Sequence, residues 1–455
     1  MSDVAIVGGG PAGMTAALLL ARAGRTVRLY DKADHLGGLW ASRLDADGYF
    51  RGDNSCKVYQ CDYTTAPALF GLLGTEWQEH FVERYDFTDH WLHPFVADCS
   101  WRDIATFGTA LVRHRLGRGR YHEVTVVEFM EQKGLTEACR AWLRATALGG
   151  IAGTLRMTMW EFFIRVDGNL GEIFRKSPAP LYWNRVPQNS PTGFVTLWDR
   201  AIREAGVDVR TGVGVEALDR EADGLRLTLD DGRTDTAAAV LLAVPPPALG
   251  RLLEASPDAV AEGFGRSRAE LRDYFAASVY EHLGITWFFD RELPTPLPLG
   301  GNNAQRGWHP ILVEHQQYRE QLRPPARSAV VGSVALDTGF RHHRLGTLAS
   351  DYPHDELAAL IWADEQERSP GLPDPIDFEI MGESSATQIV GRGPLSPAMD
   401  GAPVFLASNI HGRAPYFTAS LESAIQAGAL AAQACDPSVE RLPMGPPRDL
   451  PWGQD

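Results

Sequence analysis

A glycine cluster near the N-terminus carries the first chemistry legible in the chain: Gly8-Gly9-Gly10-Pro11-Ala12-Gly13. In such a run Gly8 permits a tight turn, Gly10 lets bare backbone approach a pyrophosphate, and Gly13 lets a following helix pack closely on the preceding strand. Pro11 and Ala12 supply the helix's first turn, whose N–H groups and dipole then point at the phosphates. The motif alone is weak, because glycine loops also serve purely structural turns. Its setting strengthens it. Residues 4–7, Val-Ala-Ile-Val, read as a buried parallel strand. MTAALLLARAG, from Met14, reads as a helix ending at Gly24, and TVRLYD as a second strand closed by Asp31. An acid about 20 residues beyond the loop is placed to bond a ribose hydroxyl. Together these form one βαβ unit for a dinucleotide.

The next segment narrows the ligand. Asp31-Lys32-Ala33-Asp34-His35-Leu36-Gly37-Gly38-Leu39 runs from the acid through a spacer to a glycine pair. It resembles the second FAD signature of the flavoprotein superfamily that contains monoamine oxidases, L-amino-acid oxidases, protoporphyrinogen oxidases and carotenoid desaturases. Two distant stretches resemble the same family. One is Thr192-Gly193-Phe194 with the helical FVTLWDRAIREAG, then VDVRTGVGVEAL, an Asp231-Gly232 turn and AVLLAVPPPAL. The other is Val404 to Asn409 followed by Ala419 to Ile425.

The resemblance implies non-covalent FAD, held by Gly8, Gly10, Pro11, Ala12, Gly13, Asp31, Lys32, Gly37, Gly38 and Leu39. It implies a backbone contact to adenine at Val215, and a closing strand and helix, with Asn409 and Leu421, under the pyrophosphate and flavin. The implied fold is α/β, a doubly wound Rossmann-type FAD domain interleaved with an α+β substrate domain. Residues 1–64, 192–264 and 396–435 would form the FAD domain, 65–191 and 265–395 the substrate or cap domain, and 436–455 a proline-rich tail that reads as extended or disordered rather than folded.

In the first insertion, VTVVEFMEQKGLTEACRAWLRATAL repeats apolar residues at three- and four-residue spacings and reads as helix. The second mixes strand-like YEHLGITWFF and SAVVGSVAL with a helix at HDELAALIWADEQ, and should supply a sheet beneath the substrate. Gly149-Gly150-Ile151-Ala152-Gly153 follows a helical pattern rather than a strand, so it reads as a helix break or a close-packing site and not as a second nucleotide fingerprint. Molecular oxygen is then the expected electron acceptor, unless none is needed.

In this family the flavin accepts the hydride, while the protein orients the substrate and excludes water. Departures from the pattern are therefore informative. Amine oxidases keep a lysine beneath flavin N5, on a strand that corresponds to Ser278–Gly284, and no lysine occurs there. Lys32, Lys57, Lys133 and Lys176 are the only lysines in the chain. Ser420 stands where an aromatic would wall an amine site, so simple amine oxidation is disfavoured. Leu39 replaces an arginine and Asn409 an acid near the pyrophosphate, changes that bear on those contacts and leave FAD binding expected. Lys57 closes GYFRGDNSCK, where L-amino-acid oxidases carry the arginine that grips the substrate carboxylate; a structural lysine is the plain alternative. Tyr416, with Phe417, precedes the flavin-facing helix and could stack on ring or substrate, or be core. Lys57 and Tyr416 are the catalytic candidates. His411, Arg413 and Trp40 are weaker ones for proton transfer, anion contact and pocket wall.

A net charge of −15 over 455 residues argues against nucleic acid as a partner. Arg113–Arg120 is the one basic run and reads as a solvated loop. No apolar run reaches the 18 or so residues of a membrane span. Five scattered cysteines and no secretory leader fit a cytoplasmic protein. No histidine or cysteine group has metal-ligand spacing. The oligomeric state stays open. The expected function is an FAD-dependent oxidase or desaturase that takes a hydride from a C–N or C–C bond of a small, partly apolar metabolite. The alternative is a redox-neutral isomerase resembling the polyunsaturated fatty-acid isomerases.

Overall fold

A computed structural model describes residues 2–55, 57, 59, 63–84, 97–118, 121–150, 155–163, 184–187, 192–294, 297, 307–336, 339–387, 395–408, 410 and 420–445. Strand β1 (Ser2–Val7), helix α1 (Pro11–Arg22) and strand β2 (Val27–Asp31) form the opening βαβ unit. Short strands β3 (Arg43–Leu44) and β4 (Phe50–Gly52) follow, then α2 (Thr65–Leu72). The first insertion pairs β5 (Phe81–Arg84) with β6 (Asn184–Pro187) and holds α3 (Trp101–Arg115), α4 (Val126–Gln132) and α5 (Glu137–Ala145). A π-helical turn at Thr146–Gly150 continues α5, and the rest of the glycine cluster, 151–153, lies outside the described residues.

Helix α6 (Thr192–Glu204) leads into β7 (Asp208–Thr211), β8 (Val215–Glu221), β9 (Gly224–Leu229) and β10 (Thr234–Leu242). After α7 (Pro246–Ala255) and α8 (Arg268–Ser278) come β11 (Val279–Phe289), β12 (Ile311–Glu314), β13 (Ser328–Ala335), α9 (His354–Arg368) and β14 (Asp377–Thr387). Strand β15 (Val404–Leu406) and helix α10 (Leu421–Cys435) return to the first sheet.

That sheet runs β7-β2-β1-β10 in parallel, and the outer edge of β10 is shared by antiparallel β9 and parallel β15. Its two faces explain the apolar run at its start. Val4 and Ile6 pack with α1, α6 and α10 on one side, while Ala5 and Val7 pack with β8, β9, α7 and α8 on the other. A second, antiparallel sheet is ordered β12-β13-β11-β14, and α9 covers its face at Leu283, Ile285 and Trp287. The fold is thus mixed α/β, with a Rossmann-like parallel sheet and separate antiparallel sheets. The first sheet takes strands from the beginning, middle and end of the chain.

Two stretches differ from the sequence expectation. Arg113–Arg115 are not loop but the last turn of α3, because Ser100 and Asp103 cap a helix long enough to include them. Beyond α10 the extended chain is anchored: Val439 and Leu442 enter the core beside α1 and α2, and the Pro443 carbonyl accepts from Thr65 Oγ1 at 2.8 Å. No helix of the described residues is long and apolar enough to cross a membrane.

Candidate functional site

The glycine loop joins the end of β1 to α1 beside the end of β10. Gly8 holds φ +106, and a Cβ there would stand 2.5 Å from the Ala243 carbonyl oxygen. A Cβ on Gly13 would stand 1.8 Å from the Gly8 carbonyl oxygen. These two glycines serve close packing. Gly10 differs, since a Cβ there would meet nothing within 4 Å. It is the N-cap of α1 and so makes no side-chain cap bond, no acid lies within the helix's first turn, and among the described residues no side chain caps that turn. An uncapped, positively polarised helix end therefore opens onto free space. Leu421 is fully buried where α10 begins beside this turn, and the two helices touch so closely that a Cβ on Gly428 would lie 2.1 Å from the Ala12 carbonyl oxygen. Gly428 was not anticipated, although the small residues of QAGALAA are its signal.

Asp31 braces the loop. Its carboxylate accepts from Gly9 N at 2.6 Å and from Ala33 N at 2.8 Å, leaving lone pairs for a further donor such as a hydroxyl. Gly37 N donates to the Gly9 carbonyl at 2.8 Å, and a Cβ on Gly38 would lie 3.1 Å from Gly10 Cα, so the glycine pair crosses directly over the loop. On the other side, Gly212 N and Val213 N donate to the carbonyls of Ala33 and Asp31. The start of β8 at Val215 thus sits beside Asp31 and Lys32. The structure gathers Gly8, Gly10, Pro11, Ala12, Gly13, Asp31, Lys32, Gly37, Gly38, Leu39, Val215 and Leu421 around the carboxyl ends of β1, β2 and β10. Parallel sheets bind nucleotides at this edge, where the strand order reverses. Asn409, His411, Arg413, Tyr416 and Phe417 lie outside the described residues. The free space over Gly10, the bare helix end and the carboxylate at the end of β2 fit an adenine dinucleotide.

Lys57 is buried, its Nζ donating to the Leu39 carbonyl at 2.6 Å and lying 4.7 Å over the Trp40 ring. This cation is therefore fastened to the loop that follows the glycine pair. Nearby Asp53 is fully buried and accepts from Ser42 Oγ at 2.6 Å. Burial pushes its carboxyl above the usual range, and the Lys57 charge and the Ser42 bond partly offset that.

The segment Gly52–Asn54 rests on the second sheet. A Cβ on Gly284 would lie 2.6 Å from the Asn54 carbonyl oxygen, and one on Gly52 would lie 2.7 Å from Thr286 Oγ1. Side chains alternate along a strand. The β11 face turned toward this segment is therefore the one that carries His282, Gly284 and Thr286. His282 is buried, with Nδ1 2.9 Å from Ser333 Oγ, and it pairs in register with Ala335 and Ser384. It lies within the run where a lysine was sought, and only sheet register assigns it a face.

Ser420 is the N-cap of α10, accepting from Ser423 N at 3.1 Å, rather than a pocket wall. Glu422, also unanticipated, is buried and accepts from Thr64 N, Thr65 N and Ala66 N at 2.7–3.0 Å, which caps α2 and ties it to α10. Among the described residues no three acid, histidine or cysteine side chains converge as a metal site.

Residues 6–85 match the model of the NAD(P)-binding Rossmann-like domain, and residues 101–274 that of the flavin containing amine oxidoreductases. The chain is similar in fold to a putative protoporphyrinogen oxidase from Exiguobacterium sp. 255-15, at 14% identity and a TM-score of 0.64 over 95% of this chain and 98% of that one. It is similar to cyclohexylamine oxidase from Brevibacterium oxydans IH-35A, at 14% identity and 0.63 over 97% and 100%. Putrescine oxidase with bound putrescine gives 14% identity and 0.64 over 95% and 98%. In sequence the chain is 29% identical to the chloroplastic/chromoplastic 15-cis-phytoene desaturase of an Oncidium hybrid cultivar. That match covers 29% of this chain and only 28% of the desaturase.

Proposed function

We propose that this chain, an FAD-dependent oxidoreductase that belongs to the flavin-containing amine oxidoreductase superfamily, holds its FAD non-covalently and takes a hydride from a C–N or C–C bond of a small, partly apolar substrate. The observation that carries this reading is the open face above Gly10, bounded by the bare end of α1, by Asp31 and by the glycine pair Gly37–Gly38. When bound there, FAD supplies the two-electron acceptor.

The chain's own residues bind, orient and move protons. The first turn of α1 offers its N–H groups and dipole to the pyrophosphate. Asp31 accepts from a ribose hydroxyl while its bonds to Gly9 and Ala33 hold the loop. Val215 backbone meets the adenine end. Lys57, fixed by the Leu39 carbonyl and Trp40, provides a buried cation for a substrate carboxylate or for negative charge that develops near the ring. His282, oriented through Nδ1 by Ser333 on the face of β11 toward Asn54, is in this reading the side chain that exchanges a proton with the substrate. Residues 1–64, 192–264 and 396–435 make the FAD domain in this reading, with a cytoplasmic location and oxygen as the terminal acceptor.

A second reading is favoured by one feature. With no lysine along Ser278–Gly284 and a histidine on that strand, a redox-neutral isomerase would use the same site. An anaerobic titration with amines, amino acids and unsaturated lipids, followed at the oxidised flavin band, tests both. Bleaching by one compound class, reversed by air with release of peroxide, supports the oxidase. Turnover without bleaching, with substrate deuterium retained in the product, supports the isomerase. A flavin that responds to no compound in either way removes both.

A further inference from the structure

Helix α3 is apolar on two opposite sides. Its inner side, with Phe107 and Ala110 buried and Ile104 and Leu111 packed beside them, closes the core of the helical insertion. On its outer side Trp101, Val112 and Leu116 are 83%, 55% and 62% exposed. At about 100° per residue, Trp101, Ala105, Val112 and Leu116 fall within a sector of roughly 60° and form one straight strip some 22 Å long. Arg102 and Arg113 flank this strip on one side and Arg115 on the other, with Arg118 just beyond the helix. The helix's one acid, Asp103, is turned inward and bonded to Ser100 and Thr136. Among the residues of α3 itself, the outer face therefore carries cations and apolar side chains and no acid, on a chain whose net charge is −15.

We infer that this face of α3 docks on an anionic lipid surface. A helix with an apolar strip bordered by arginines lies in the plane of the headgroups, with its apolar side chains below and its guanidinium groups level with the phosphates. A protein this acidic is repelled by such a surface everywhere except at a local basic patch, so the patch also fixes the docked orientation. A symmetric dimer through the same face would set arginines against arginines, which favours the lipid over a second copy. The face is distant in sequence from the glycine loop, and the inference does not depend on the reaction proposed above.

Co-sedimentation of the full chain with vesicles of equal parts phosphatidylglycerol and phosphatidylcholine tests it, with pure phosphatidylcholine as the reference. The wild type should sediment with the anionic vesicles and stay in solution with the neutral ones. R102Q/R113Q should weaken partition on the order of 30-fold, the value for two cations lost at an anionic surface, and V112S/L116S should weaken it without changing the salt dependence. All four side chains lie outside the core, so both variants should melt with the wild type. Wild-type protein that ignores anionic vesicles would overturn the inference, as would binding that neither variant diminishes. A wild-type dimer in sedimentation velocity that V112S/L116S dissociates would assign the face to a second copy instead.

Discussion

Replacing Gly10 by alanine should leave the empty protein as stable as wild type while weakening its hold on FAD. The new methyl would point into space, with no protein atom within 4 Å, and the backbone at φ −74 and ψ 179 suits any residue. Two small terms oppose each other: alanine is a poorer N-cap than glycine, but it reduces the entropy of the unfolded chain. Their sum should stay within about 0.5 kcal/mol. The bound pyrophosphate needs that same space. Losing one or more backbone bonds to it costs about 1.5–3 kcal/mol each, or roughly 10- to 150-fold in Kd per bond. Gly13→Ala is the contrast, because its methyl would lie 1.8 Å from the Gly8 carbonyl oxygen and the strand and helix would have to part. That apoprotein should lose about 1–3 kcal/mol or more. Thermal melts of the two flavin-free variants, with fluorescence titration by FAD, read both quantities. The reasoning fails if G10A binds FAD like wild type, or if G10A melts as low as G13A.

Other consequences follow from the same geometry. Glu422→Gln removes a carboxylate that accepts three backbone N–H groups at the start of α2, and should lower stability by about 1–3 kcal/mol in urea denaturation; an unchanged midpoint would deny Glu422 its capping role. Asp53 has its folded pKa raised by burial, so its contribution to stability is present below the unfolded carboxylate value and is lost as pH rises through the folded one. Asp53→Asn should therefore gain stability relative to wild type between acidic and neutral pH, and denaturation midpoints that track wild type at every pH would contradict this. Lys57→Met should raise the KM of carboxylate-bearing substrates far more than that of neutral ones. His282→Gln should lower turnover on the order of 100-fold or more while leaving FAD affinity unchanged, and turnover at the wild-type rate would exclude His282 as the proton-exchanging group.

The glycine loop was legible because everything it needs is local: a buried strand, a run of helix formers and an acid fall within one continuous stretch of sequence. Both insertions likewise announced their elements through periodicity, as in SAVVGSVAL, which becomes β13. Contacts made by distant partners were hidden. Glu422 finds its donors 356 to 358 residues away, and nothing in LESAIQ points to them. Lys57 was visible as a scarce cation, but its seat on the Leu39 carbonyl depends on how the loop after Gly38 turns back. His282 needed strand register, since one residue of slip would send it to the opposite face. The arginines at Arg113–Arg115 show the reverse error: a charge run suggested loop, while the capped helix before it extended through them.

The most direct test is to purify the chain, record its visible spectrum, precipitate it with acid, and identify and count the flavin in the supernatant. One FAD per chain, released without proteolysis, is the predicted result. A colourless protein that also ignores added FAD, or flavin that stays with the precipitate, would contradict the central claim.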